Sequence, residues 1–269
     1  MQLLQSNGKQ IGYTTGRGGL EKGRKTLVFV HGSGGNHLLW NHQRRYFQGY
    51  YNVVSVDLPG HGEAGGTGEE SIEAYAHHLL HLLRSLPGEV FCLFGHSLGG
   101  AIVQMSALLY AQHVEALVLV GTGARLRVLP AVLTNIRERF EEAARLMSDY
   151  AFSKKTSEDI VQSGMEAILM ARPEILLGDL TACDRFDIMD RVGEIQAPTL
   201  IICGRDDMLT PPKYAEYLAN MIKDARLEII EGAGHMVMIE QPEQLNRSVM
   251  GFLETLGETK VDARQQNPQ

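Results

Sequence analysis

Six short apolar runs set the terms for this chain: 26–30, 52–58, 90–94, 115–120, 199–203 and 226–230. Most are near-continuous Val, Ile, Leu and Phe, without the polar alternation of a sheet that keeps one face in water. Helical patterns over 71–85, 97–111, 212–222 and 242–256 fall between or after them. Strands that are apolar on both faces need cover on both faces, so this order predicts an α/β domain: a parallel sheet with helices on each side. Residues 2–5 and 10–14 flank Asn7-Gly8, a short hairpin signal whose flanks alternate poorly.

The alternation stops between about 122 and 194. Three helical patterns fill that segment, over 131–150, 156–171 and 173–186, punctuated by Pro130, Gly164, Pro173 and Gly178. Strand–helix alternation resumes at 199, so the segment reads as a helical insertion (122–194) within one core domain (1–121 and 195–269). With 269 residues and a 44% hydrophobic composition, one large core can be built.

Several functions are disfavoured. The net charge is −7 and no stretch is densely basic, which argues against nucleic acid. No apolar run approaches a membrane span, and the first residues lack the basic start and apolar stretch of a signal peptide. Cys92, Cys183 and Cys203 form no C-x-x-C pair and read as buried free thiols, so a cytoplasmic protein is expected. His77 and His81 have zinc-ligand spacing but lack an intervening glutamate and a third ligand, so neither metal nor cofactor is expected. The polar tail after Thr259 reads as frayed.

One corner carries chemistry. Gly95-His96-Ser97-Leu98-Gly99 joins a strand directly to a helix. A glycine two places either side of Ser97 clears room for a cramped turn, which leaves the hydroxyl exposed at the carboxyl edge of the sheet beside a helix N-terminus. Serine needs a base, and the base needs an orienting acid. The loop after 199–203 carries Asp206 and Asp207; the loop after 226–230 carries His235. Both loops leave the same edge of the sheet as Ser97. His235 is the expected base, and one of the two aspartates its partner. An oxyanion formed at Ser97 needs two donors, expected from the amides of Leu98 and of Ser33 in the turn His31-Gly32-Ser33-Gly34-Gly35.

These pieces in this order resemble the α/β-hydrolase superfamily from about Thr26 to Leu256. The motifs are H-G-x-G at Gly32, D-L-P-G-H-G at 57–62, G-H-S-L-G-G at 95–100, G-x-x-D-x-x-x-P at 204–211, and Gly234-His235. The resemblance implies an eight-stranded, mostly parallel sheet and makes 122–194 a helical cap after strand six. It selects Asp207 over Asp206, and treats Asp57 and His61 as structural. Serine at the elbow departs from the aspartate of haloalkane dehalogenases and epoxide hydrolases. The glycine turn lacks the proline of prolyl aminopeptidases. The expected activity is cofactor-free hydrolysis of a small carboxylic ester, with an apolar acyl group held by the cap. Alternatives are a thioester, a lactone or a carbon–carbon bond cleaved by the same residues, or a receptor of this fold without turnover.

Overall fold

A computed structural model describes residues 1–265. Its strands are β1 (Gln2–Ser6), β2 (Lys9–Thr15), β3 (Thr26–Val30), β4 (Asn52–Asp57), β5 (Phe91–His96), β6 (Val114–Val120), β7 (Thr199–Gly204) and β8 (Ala225–Ile230). They form one sheet in the order β1-β2-β4-β3-β5-β6-β7-β8. Strand β2 pairs antiparallel with both of its neighbours, β1 and β4, and all other pairs are parallel. The hairpin turns at Asn7-Gly8 with both φ angles positive, as a two-residue turn requires.

Helices α1 (Asn41–Phe47), α2 (Ile72–Ser85), α3 (Leu98–Leu109), α4 (Pro130–Glu138), α5 (Phe140–Ala151), α6 (Glu158–Leu169), α7 (Pro173–Arg185), α8 (Pro212–Met221), α9 (Val237–Glu240) and α10 (Pro242–Gln265) complete the chain. The strand residues divide by parity. Val28, Val30 and Leu93 face a core shared with α2, α3 and α8. Leu27, Phe29, Cys92 and Phe94 face a second core with α1, α9 and α10. The central strands β3 to β7 are buried on both faces of the sheet, which explains why they read as largely apolar runs.

The insertion leaves the sheet after β6 and returns at β7. Its two ends are stitched together, with Leu126 N–H bonded to Phe186 O (3.3 Å) and Ile188 N–H to Ala124 O (2.8 Å). It holds four helices where three are expected, because the pattern over 131–150 breaks at Arg139 (φ −149°, ψ 64°). Val132, Ile136 and Ala143 share one small core across that break. Their spacing would also place them on one face of an unbroken helix, which hides the interruption. Helix α10 runs nine residues past its expected end. Of the tail, 266–269 lie outside the described residues. Among the described residues no helix is long and apolar enough to cross a membrane.

Candidate active site

Ser97 occupies the corner between β5 and α3 with φ 53° and ψ −116°. Only Ser97 and Asn7 hold positive φ among the described non-glycine residues. Such a conformation costs on the order of 1–3 kcal/mol and persists only where its surroundings over-determine it. Here the Ser97 amide donates to Val120 O (3.0 Å), and its carbonyl accepts from Ala101 N–H (3.1 Å) and Thr122 Oγ1 (2.9 Å). A Cβ on Gly95 would collide with the Gly99 carbonyl, and one on Gly99 with the carbonyl oxygens of Val30 and His31. The two glycines let elbow, helix and neighbouring strand close on one another.

The loops after β7 and β8 bring His235 and Asp207 together. His235 Nδ1 lies 2.9 Å from Asp207 Oδ2. The Asp207 carboxylate is fully buried and saturated. Its Oδ1 accepts from Leu209 N–H (2.9 Å) and Thr210 N–H (2.8 Å), and its Oδ2 also accepts from Thr210 Oγ1 (2.8 Å). Asp206 turns away and accepts from Ser153 Oγ (2.6 Å) at the end of α5. With Nδ1 committed to a carboxylate, Nε2 is the nitrogen left to handle a proton. The His235 ring lies against Gly121, the neighbour of the residue that holds the Ser97 amide. Serine and imidazole therefore both lie near the carboxyl end of β6. No hydrogen bond joins Ser97 Oγ to the ring among the described residues, a contact that often tightens only with substrate bound.

Leu98 begins α3, so its N–H is one of the free donors at a helix N-terminus. Ser33 lies in the turn after β3, where Gly35 N–H donates to Gly32 O (3.0 Å) and Gly34 N–H to Asp179 Oδ2 (2.8 Å). Neither the Ser33 nor the Leu98 amide has a protein acceptor among the described residues. The close approach of Gly99 to Val30 and His31, and of Gly32 to His96, joins the two turns.

The histidines around the site differ in charge for reasons visible in their partners. His31 Nδ1 donates to Gly32 O (2.8 Å) while Nε2 accepts from Leu58 N–H (3.2 Å), a neutral pattern. Burial, helped by repulsion from His61, lowers its pKa to about 4. His96 donates from Nε2 to His235 O (3.1 Å), and burial and His235 hold its pKa well below the ordinary value. His61 is the opposite case. Burial works against its charge, yet Asp179, 2.8 Å from Nε2, outweighs it and raises the pKa. Asp57 accepts from the amides of His37 (2.7 Å) and Glu63 (2.8 Å), so it ties the turn after β4 to that after β3. His77 and His81 are exposed on α2, and His78 is buried against Ser6 and Glu69.

Three groups around the site go unnoticed in the sequence. Asp179, on α7, is one. Glu240 is another: it accepts from the amides flanking His235, Gly234 (2.9 Å) and Met236 (3.1 Å), and from Ser153 N–H (2.8 Å). Thr210 is the third. Asp179 does leave a trace, as an acid on a helix stripe otherwise made of Ile175, Leu176, Ala182 and Cys183.

A scan against protein-family models matches the Alpha/beta hydrolase family over residues 27–248. The chain belongs to the alpha/beta hydrolase family. Within it, the chain is 30% identical over 253 residues to the 2-hydroxy-6-oxononadienedioate/2-hydroxy-6-oxononatrienedioate hydrolase of Burkholderia vietnamiensis, covering 86% of this chain and 88% of that one. It is 28% identical over 242 residues to the pimeloyl-[acyl-carrier protein] methyl ester esterase of Photobacterium profundum, covering 84% and 94%. The solved structure of a thermophilic esterase superposes with a TM-score of 0.84 at 34% identity, covering 95% of this chain and 98% of that one.

Proposed function

We propose that this alpha/beta hydrolase cleaves small carboxylic esters through an acyl-enzyme on Ser97. The observation that carries the reading is the His235–Asp207 pair, bonded at 2.9 Å, at the same edge of the sheet as a serine held at φ 53°. Ser97 Oγ attacks the acyl carbonyl as His235 Nε2 takes its proton. The Ser33 and Leu98 amides hold the oxyanion, aided by the positive end of α3. His235 then protonates the leaving alkoxide. It next deprotonates the water that releases the acid. Asp207 keeps the proton on Nδ1 and balances the imidazolium. The amides of Leu209 and Thr210 stop the carboxylate from rotating away.

Helices α4 to α7 act as a cap that receives the acyl group. Leu176 supports this, since it lies against Gly34 of the oxyanion turn. Met189 packs on the large core. Three buried cysteines suit a reducing, cytoplasmic setting. The esterase at 34% identity favours an ester substrate. The dienedioate hydrolase relative favours a second reading, carbon–carbon bond cleavage by the same residues.

A hydrolysis panel separates them: aryl esters of graded acyl length, thioesters, lactones and a dienone acid, each run against Ser97→Ala. Sustained ester turnover lost in Ser97→Ala is expected. Cleavage of the dienone acid alone would select the second reading. An acyl burst without turnover would make the protein a receptor.

A further inference from the structure

Asp179 lies on α7, among the inserted helices, and its side chain is fully buried. Three donors from three separate core segments converge on it. Gly34 N–H reaches Oδ2 from the turn after β3 (2.8 Å), His61 Nε2 reaches Oδ2 from the turn after β4 (2.8 Å), and Tyr75 Oη reaches Oδ1 from α2 (2.7 Å). A carboxylate buried without partners is costly, and here its partners all come from the core. His61 Nδ1 faces Pro59 O at 3.0 Å. Both of its nitrogens therefore face acceptors, the arrangement of a doubly protonated imidazole. The bond to Asp179 is thus charge-assisted and directional.

The anchor point is what matters for chemistry. The turn Gly32-Ser33-Gly34-Gly35 has glycine at three of four positions and is intrinsically soft. Gly34 has φ +66°. Its amide belongs to the peptide next to the Ser33 amide, the proposed oxyanion donor. Leu176, one turn before Asp179 on α7, closes on Gly34 from the same side: a Cβ there would be 3.0 Å from Leu176 Cδ1. Without Asp179 the 33–34 peptide loses its side-chain acceptor, and the Gly35–Gly32 bond is the backbone hydrogen bond left to hold the turn.

We propose that Asp179 is a positioning residue: it fixes the Ser33–Gly34 turn for oxyanion binding, so that the site is complete only when the inserted helices are docked. This rests on the esterase reading above. A fluorophosphonate probe tests it without a natural substrate. Ser97 Oγ bonds to phosphorus, the P–F bond breaks, fluoride leaves and the serine proton passes to His235, while the phosphoryl oxygen occupies the oxyanion position. The labelling rate at Ser97 is compared in the parent, Asp179→Ala and Asp179→Asn, with thermal unfolding and the kcat and KM of an aryl ester alongside. Loss of a whole oxyanion donor costs about 10²–10³ in rate, so a misaimed one should cost roughly 10–100-fold. Asp179→Ala is expected to unfold cooperatively, to label and turn over slower by that factor, and to keep KM within about threefold. Asp179→Asn keeps an acceptor for Gly34 but not the charge, and should fall between the two, at least about threefold slower than the parent. If Asp179→Ala does not fold, Asp179→Asn decides alone. A purely structural role would lower the melting temperature and leave the labelling rate of the folded variants at the parental value, which would overturn the proposal. A parent that neither labels nor turns over esters would overturn the esterase reading, and this proposal with it.

Discussion

Asp207→Asn probes the imidazole through a single atom. The Oδ1 position faces two backbone donors, Leu209 N–H and Thr210 N–H, so the amide oxygen of an asparagine must sit there. Its NH₂ group then occupies the Oδ2 position, 2.9 Å from His235 Nδ1. A donor at that place forces Nδ1 to accept, which moves the ring proton to Nε2, the nitrogen that receives the Ser97 proton in the proposed reaction. Thr210 Oγ1 can rotate to accept from the new amide, so the network stays filled and the fold should hold. The wrong tautomer costs about 10⁴ in kcat in a well-studied serine protease, equivalent to about 5 kcal/mol of barrier. Asp206→Asn keeps an acceptor for Ser153 Oγ and should cost less than about tenfold. The assay is kcat on a p-nitrophenyl ester for both variants, with melting curves to show equal folding. Equal losses, or the reverse ranking, would refute the assignment.

Three further outcomes are expected. Gly95→Ala or Gly99→Ala drives a Cβ into backbone carbonyls and should cost at least about 2 kcal/mol in denaturant unfolding; an unchanged midpoint would contradict the close-approach argument. His31 has a pKa of about 4 when folded, against about 6.5 unfolded, so between those values the unfolded chain binds more protons; stability should fall as pH drops from 6.5 to 4, by up to about 3 kcal/mol, with a shallower slope in His31→Asn. Leu176→Phe should move the preferred p-nitrophenyl ester to shorter acyl chains, where each buried methylene contributes about 0.8 kcal/mol to kcat/KM; an identical C2–C12 profile would place the acyl group elsewhere.

The parts that were legible from sequence are those whose physics is local. Runs such as 26–30 declared burial on both faces, and Gly95-x-Ser97-x-Gly99 declared a strand that must turn within one residue. Asp206 and Asp207 could not be separated from local residue types alone. Their difference lies in which carboxylate the amides of Leu209 and Thr210 grip. The insertion was visible as lost alternation, yet the break at Arg139 was masked by an apolar stripe that runs through it. Asp179 escaped because its partners lie far away in the chain, with His61 118 residues from it; Glu240 has near partners in Gly234 and Met236, but those are backbone amides, which carry no residue signature, and its other partner Ser153 is 87 residues away. No spacing rule spans such a gap. An acid on an apolar helix face is the only local hint.

The central claim is that Ser97 is the nucleophile of an ester hydrolase. Its most direct test is kcat for an aryl ester in the parent and in Ser97→Ala, at matched melting temperature. The account predicts sustained turnover in the parent and a loss approaching 10⁶ in the variant. More than a few per cent of parental turnover in Ser97→Ala, from preparations free of contaminating esterase, would contradict it.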